Sequence, residues 1–274
     1  MQARPDTTTL SGFFRLLELG REQVAEFPGA LEQIRQGELE GVLVRDVYSP
    51  ELLAGVVERL ERHDPPFVQT FFPREFQSWF YGRNLNLTPP QLPGYFQDAA
   101  RFHAQLTELF PYSMGLVATT SQILRELDGG RPFVAPPGPQ NGEQYMFTTL
   151  RAHLQGGFIP PHCDVRPAHP HLREMLQQHV MSFVLMLGAP EAGGALEIFD
   201  ERADTTGRDL RTLVRADMTG VRSVAFQLPP GAMIVVDSGR HLHRVSPVIG
   251  NKKRWTACSF MSLSRAGDVS YCWG

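Results

Sequence analysis

The sequence is poor in cysteine and has no marked excess of charge. Only three of the 274 residues are cysteines, at positions 163, 258 and 272. An odd number of cysteines without a regular spacing argues against a small secreted domain held by disulfides. The formal net charge of −3 also argues against a surface that binds polyanions, so we expect no nucleic-acid partner.

Long apolar runs are missing as well. No segment approaches the ~18 consecutive apolar residues of a membrane span, and the first residues, MQARPDTTTL, lack the apolar region of a secretory signal. We therefore expect a cytoplasmic protein without a membrane partner. A mass of 30.7 kDa fits one elaborated domain with a sizeable core.

Two short motifs contain residues that are suited to binding a metal. PPHCD contains His162 and Asp164, and HRVSPVIGNKKR begins at His243. Residues two apart on a strand share a face, so His162 and Asp164 can reach one ion. Two imidazoles and one carboxylate are the ligand set of non-haem Fe(II) sites that keep coordination positions open. The sequence therefore predicts an Fe(II) site formed by His162, Asp164 and His243.

The segments around these motifs have the composition of β-strands separated by turns. MFTTLRAHLQGGFIPPHCD contains two extended runs divided at Gly156-Gly157, and LPPGAMIVVDSGRHLHRV contains a buried strand before the one near His243. A further strand begins at Arg254 in KKRWTACSFMSL. Arg254 and Thr256 are two apart and are predicted to face one cavity.

This pattern resembles that of the Fe(II)/2-oxoglutarate-dependent dioxygenases, and the run from His243 to Gly250 resembles their prolyl-hydroxylase-like branch. The resemblance implies a mainly β fold with flanking helices around a double-stranded β-helix, a cupin-like jelly roll. It also implies Fe(II), 2-oxoglutarate and dioxygen, with Arg254 and Thr256 binding the distal carboxylate of 2-oxoglutarate. We expect residues 141–274 to form this catalytic core, and residues 1–140 to form a helical and lid region packed on it within a single structural domain.

Two residues compete with the predicted ligands. His241 is two positions before His243 and would share its strand face, although the Val-Ser-Pro-Val segment directly after His243 favours His243. His241 would then lie near the metal or the substrate without binding iron. Cys163 lies between His162 and Asp164, where strand alternation turns its side chain to the opposite face, which leaves thiolate ligation as the less favoured alternative.

Several elements outside the core are also predicted. Residues 41–47 favour a strand, and Ser49 followed by Pro50 favours the start of an amphipathic helix. A second helix is predicted over residues 92–110. The aromatic-rich segment between these helices is interpreted as a loop with its own apolar cluster, or as a lid from which Trp79, Tyr81 or Arg83 reaches the substrate.

Strand alternation also predicts the lining of the cavity. In TTLRAHLQ, Leu150, Ala152 and Leu154 form an apolar face, whereas Arg151 and His153 belong to the polar face. If helices cover the apolar face, the polar face points into the jelly roll. Arg151 and His153 are therefore candidate contacts for the substrate or co-substrate; the alternative is that this end of the strand is exposed to solvent.

The resemblance favours hydroxylation of a small metabolite in a specialised pathway, with amino-acid-derived compounds as one option. Peptidyl hydroxylation and a cupin-like metalloenzyme that does not use 2-oxoglutarate are the alternatives. Members that dealkylate nucleic acids carry a second Arg where this chain has Phe260. Related halogenases have Ala or Gly at the position of Asp164, which gives chloride a coordination site, so the carboxylate favours oxygen transfer. Desaturation or cyclisation stays open.

Overall fold

The computed structural model describes residues 7–85, 94–167, 169–201 and 218–274. Within these residues the chain forms a large sheet, a small sheet and a two-stranded ribbon. The strands are β1 (Thr7–Leu10), β2 (Phe14–Gly20), β3 (Gly41–Arg45), β4 (Gln69–Phe71), β5 (Ser78–Tyr81), β6 (Phe133–Val134), β7 (Thr149–His153), β8 (Ile159–His162), β9 (Met181–Gly188), β10 (Ala192–Gly193), β11 (Leu196–Phe199), β12 (Ser223–Phe226), β13 (Met233–Val236), β14 (His243–Val245), β15 (Val248–Ile249), β16 (Arg254–Leu263) and β17 (Ser270–Trp273). The α-helices are α1 (Ala30–Gln36), α2 (Pro50–Glu61), α3 (Tyr95–Leu109), α4 (Leu116–Leu127) and α5 (Pro170–Met175).

The large sheet has β9 and β16 at its centre. Its strand order is β1-β2-β3-β13-β9-β16-β7-β5-β4, and β17 with β6 extends it beyond one end of β16. β16 pairs antiparallel with both β7 and β9. All seven residues before Gly188 in MSFVLMLG of β9 are apolar or small, and six of them are buried, because both faces of a central strand are covered.

The small sheet, in the order β12-β11-β14-β8, lies over the large one. Side chains from both sheets fill the space between them with an apolar cluster: Phe14, Leu16, Met186, Leu196, Ile198, Val224, Phe226, Leu228, Ala232, Ile234 and Val236. Two sheets packed through alternating inward-facing residues form the jelly roll that the sequence predicted. The predicted fold class is therefore confirmed.

Helices cover the opposite face of the large sheet. Leu53 and Leu60 of α2 and Phe102 of α3 belong to the same apolar cluster as Leu150 and Ala152 of β7. The predicted start of α2 is present, because the backbone N–H of residue 52 donates to the Ser49 hydroxyl at 3.3 Å. With the apolar face of β7 covered in this way, its polar face points between the two sheets.

The N-terminal part of the chain supplies strands as well as helices. β3 pairs with β13, so the large sheet continues across residue 140. The segment interpreted as a loop or lid contains the hairpin of β4 and β5, and β5 pairs with β7. This hairpin extends the large sheet at its edge. Residues 86–90, at the end of that segment, lie outside the described residues.

No helix in the described part of the chain combines the length and apolar character that a membrane crossing requires.

Candidate active site

The three predicted metal ligands meet on the small sheet. β8 and β14 are antiparallel neighbours, and His162 lies directly opposite His243 in their register. Asp164 follows β8 by two residues, and its backbone N–H donates to the Ser238 carbonyl at 2.9 Å. This bond connects the end of β8 to the segment before β14, and it places the carboxylate beside both imidazoles.

The separations between the ligand atoms suit a single ion. Nε2 of His162 lies 3.5 Å from Oδ1 of Asp164, and Nε2 of His243 lies 3.7 Å from Oδ2. One ligand atom from each residue lies within 4.8 Å of the other two. Among the described residues, this is the group of three His, Cys, Asp or Glu side chains with the spacing to hold a metal.

Backbone carbonyls set the orientation of both imidazoles. Nδ1 of His162 is 2.8 Å from the Pro160 carbonyl, and Nδ1 of His243 is 3.1 Å from the His241 carbonyl. Because a carbonyl only accepts, Nδ1 must carry the proton in each ring. This leaves the Nε2 lone pairs free for a metal, which is the arrangement that outer hydrogen bonds give to metal-binding histidines.

The protonation states also fit a divalent metal. Burial alone would raise the pKa of the Asp164 carboxyl, but the adjacent His243 and His162 outweigh burial and hold that pKa at about 2. Burial, reinforced by the charge of His162, lowers the pKa of His243 to about 4. At neutral pH the site therefore has one carboxylate and a neutral His243, as Fe(II) ligation requires.

The two competing residues lie apart from this group. Nδ1 of His241 is 3.3 Å from the Phe199 carbonyl, and its ring packs 6.1 Å from that of Phe13. Cys163 is buried in a separate apolar cluster with Phe199 and Leu242. Neither residue belongs to the group with metal-binding spacing.

The metal-binding group lines a cavity between the two sheets. Polar, aliphatic and aromatic residues contribute to its wall: Arg151, His153, Ile159, His162, Asp164, Ser182, Phe183, Val184, Leu196, Val236, His243, Val245, Arg254, Cys258, Ser259 and Phe260. The structure therefore brings Arg151, His153 and Arg254 to the same cavity as the three predicted metal ligands.

Arg254 is buried at the start of β16, with 2% of its surface exposed. Its Nε donates to the Gly194 carbonyl at 2.7 Å. Burial lowers the pKa of Arg254 to about 10, so the guanidinium stays charged at neutral pH. Gly194 has φ of +64°, and a Cβ there would lie 2.9 Å from Cδ of Arg254. Gly194 thus allows both the turn and the close approach of the arginine, a role that the sequence analysis missed.

Thr256 is fully buried on the same strand, two residues from Arg254. Its hydroxyl accepts a hydrogen bond from Sγ of Cys258 at 3.3 Å. In the pairing of β16 with β7, Arg254 lies opposite His153 and Thr256 lies opposite Arg151. These four residues therefore share one region of the large sheet.

Arg151 and His153 lie on the cavity face, as alternation predicted. The guanidinium carbon of Arg151 is 4.9 Å from the ring centre of Phe80 and 5.7 Å from that of Phe260. His153 is almost completely buried, and neither of its ring nitrogens has a hydrogen-bond partner among the described residues. Burial, together with the charges of Arg254 and Arg151, lowers the pKa of His153 well below 6.5. His153 is therefore neutral at physiological pH.

The predicted lid residues are placed elsewhere. The Tyr81 hydroxyl donates to the Leu60 carbonyl at 3.0 Å, and Arg83 pairs with Asp98 at 2.7 Å. Trp79 packs edge-on against Trp255. Trp79 and Tyr81 face the helices because Phe80, between them on β5, faces Arg151. The structure does not bring Trp79, Tyr81 or Arg83 to the described cavity wall, and their role as substrate contacts stays a prediction.

A comparison with protein-family models decides the family. The model described as carrier-protein-independent halogenase WelO5 matches residues 13–274. The chain belongs to the WelO5 family. This result confirms the predicted membership of the Fe(II)/2-oxoglutarate oxygenases, with Fe(II), 2-oxoglutarate and dioxygen as cofactor and co-substrates.

Solved structures agree on the fold. The chain is similar to an N-substituted L-amino acid dioxygenase from Burkholderia ambifaria AMMD in complex with alpha-KG, with 12% identity, 90% of this chain and 91% of that chain covered, and a TM-score of 0.52. A second structure of that enzyme gives 13% identity, the same coverage and a TM-score of 0.51. At this identity the likeness concerns the fold alone. No curated protein matches the chain.

Proposed function

We propose that this WelO5-family protein hydroxylates a small organic substrate and does not halogenate it. The presence of Asp164 carries this proposal. Related halogenases have Ala or Gly at the corresponding position, where chloride takes the place of a carboxylate ligand. Here the carboxylate lies within 3.5–3.7 Å of both imidazole Nε2 atoms and is ionised, with a pKa of about 2. A negative oxygen at that position occupies the site and repels a halide ion.

The described residues divide into two binding roles. His162, Asp164 and His243 would hold Fe(II), because their oxygen and nitrogen donors match this metal. Arg254 and Thr256 would bind the distal carboxylate of 2-oxoglutarate, with the buried guanidinium forming charge-assisted hydrogen bonds. When bound, the iron and 2-oxoglutarate supply the activation of dioxygen and the transfer of one oxygen atom to a C–H bond.

The cavity supports this chemistry by limiting contact with water. Arg254, His153 and Asp164 of the cavity wall are all at most 9% exposed. A wall of this kind strengthens the interaction of Arg254 with a carboxylate, because electrostatic interactions weaken in water. It also protects reactive species from solvent before they meet the substrate.

A small molecule fits this enclosed cavity better than a peptide, and we propose an amino-acid-derived metabolite of a specialised pathway as the substrate. Peptidyl hydroxylation is the second candidate, supported by the resemblance of the Val-Ser-Pro-Val segment after His243. Membership of the WelO5 family does not support the remaining alternative, a cupin-like metalloenzyme that does not use 2-oxoglutarate. A cytoplasmic location stays a prediction, supported by an odd number of cysteines without the spacing of a disulfide framework.

Chloride binding tests the proposed reaction without a known substrate. The Fe(II)-loaded protein with 2-oxoglutarate is expected to show a metal-to-ligand charge-transfer absorption, which responds to the ligands of the metal. This absorption is followed while chloride is added in the absence of oxygen. We expect no change in the native protein and a saturable change in Asp164→Gly, where the carboxylate is removed. Asp164→Asn serves as the matched control that keeps the side-chain volume. A saturable chloride response of the native protein would refute the proposal.

A further inference from the structure

We propose that Arg151 is a substrate-binding residue, and that the substrate carries a carboxylate which pairs with its guanidinium. This inference rests on the proposed function and names the chemical class of its substrate. It uses a charged group in the cavity that neither the metal nor the distal carboxylate of 2-oxoglutarate requires.

The position of Arg151 is fixed by its neighbours on both sides. It lies on β7 opposite Thr256 of β16 and opposite Phe80 of β5. The rings of Phe80 and Phe260 flank the guanidinium at 4.9 and 5.7 Å. Flat contacts with aromatic rings hold a guanidinium in place and leave its edge free for hydrogen bonds. The group is therefore oriented in advance for a planar anion such as a carboxylate.

The Arg151 guanidinium forms no ion pair with a carboxylate in the described part of the chain. Its Nε is buried there without a hydrogen bond. Several other partly buried arginines have such a carboxylate: Arg15 with Glu40, Arg35 with Asp128, Arg83 with Asp98, and Arg244 with Glu197. A half-buried charge without a counter-ion has lost part of its hydration, so Arg151 has the properties of an arginine that binds a ligand.

The charges of the loaded site lead to the same conclusion. By formal charge, Arg151 and Arg254 contribute two positive charges to the cavity wall and Asp164 contributes one negative charge. Fe(II) adds two positive charges, and 2-oxoglutarate adds two negative charges. One positive charge then remains unbalanced in a buried cavity. A substrate with a single carboxylate would neutralise it.

The two arginines serve different parts of the cavity. His153 lies opposite Arg254, so these two residues lie together at one end of the β7–β16 pair. Arg151 lies opposite Thr256, two residues along β16 from Arg254. It lines the same cavity as His243 and Arg254. A carboxylate bound there would hold the substrate beside the reacting centre.

Matched pairs of probes test this inference. A panel of carboxylic acids, including N-acetyl-L-leucine, N-acetyl-L-phenylalanine and 3-phenylpropionate, is compared with the corresponding primary amides. Two readouts are used with the Fe(II)-loaded protein: the change in charge-transfer absorption without oxygen, and the stimulation of succinate formation with oxygen. We expect one or more acids to act, and their amides to bind at least about thirty-fold more weakly, as loss of one partner of a buried ion pair predicts.

Variants connect the preference for acids to Arg151. Arg151→Gln should abolish it, and Arg151→Lys should retain part of it because the positive charge stays. Arg15→Gln is the matched control, because Arg15 pairs with Glu40 and does not belong to the cavity wall, and it should keep the full preference. Dissociation of 2-oxoglutarate is measured for each variant, and Arg151→Gln should change it much less than Arg254→Gln.

Three results would overturn the inference: amides that act as well as their acids, a panel in which no acid acts, and an unchanged preference in Arg151→Gln. Equal losses of 2-oxoglutarate binding in Arg151→Gln and Arg254→Gln would likewise overturn it by assigning Arg151 to the co-substrate. Failure of the proposed function is recognised separately, because the native protein would then give a saturable response to chloride or form no succinate from 2-oxoglutarate.

Discussion

Replacement of Arg254 by Gln tests how the protein binds 2-oxoglutarate. Arg254 is 2% exposed, and its Nε already donates to the Gly194 carbonyl at 2.7 Å. The two Nη groups are then left for a bidentate contact with a carboxylate. Gln is uncharged and shorter, so the variant loses both the charge and the fork of donors while it keeps a polar side chain.

The expected loss follows from the burial of the guanidinium. Removal of one partner of a buried, hydrogen-bonded charge pair costs ~2–5 kcal/mol, which corresponds to roughly 30- to 5,000-fold in affinity. Arg254→Lys keeps the charge but offers a single point of contact, so its loss should be smaller. Iron binding should be preserved in both variants, because Arg254 does not belong to the metal-binding group.

Anaerobic titration of the Fe(II)-loaded protein with 2-oxoglutarate measures the dissociation constant through the charge-transfer absorption. Metal analysis and thermal unfolding of the same samples control for loss of iron and loss of fold. A dissociation constant that stays within threefold of the native value in a folded, iron-loaded Arg254→Gln protein would refute the assignment of Arg254 to the co-substrate.

Three further predictions concern the metal, the turn beside Arg254 and the core. His243→Ala should lose stoichiometric iron after gel filtration, whereas His241→Ala should retain it. The reverse outcome in metal analysis would make His241, and not His243, the third metal ligand. Gly194→Ala should weaken 2-oxoglutarate binding roughly tenfold, because alanine is strained at φ of +64° and its Cβ would lie 2.9 Å from Cδ of Arg254, which displaces the arginine. An unchanged dissociation constant for 2-oxoglutarate would argue against the role of Gly194 in positioning Arg254. Ile234→Ala should lower the free energy of unfolding by about 2–5 kcal/mol in urea denaturation, since Ile234 is fully buried between the sheets, and a loss below 1 kcal/mol would contradict that packing.

Part of the candidate site could be predicted from the sequence because the residues concerned are close together in the chain. His162 and Asp164 are two residues apart, and strand alternation is enough to put them on one side. The same alternation placed Arg151 and His153 on the cavity face of β7. The direct pairing of His162 with His243 needed the fold, which the resemblance supplied.

The parts that were missed depend on contacts between distant segments. β4 and β5 are short and rich in aromatic residues. They pair with each other, and β5 also pairs along β7, more than fifty residues later in the chain. This pairing fixes which residues face the cavity, so Phe80 flanks Arg151 whereas Tyr81 binds the Leu60 carbonyl. Alternation within SWFY could have indicated Phe80 once a strand was assumed. No local pattern indicated that the Gly194 carbonyl would hold Arg254.

The most direct test of the proposed reaction is the fate of dioxygen when chloride is present. The Fe(II)-loaded protein is given 2-oxoglutarate, an acid that stimulates succinate formation, excess chloride and isotopically labelled dioxygen, and the product is identified by mass spectrometry. With the Asp164 carboxylate in place, the product should gain one labelled oxygen atom and no chlorine. A chlorinated product from the unmodified protein would contradict the proposed function.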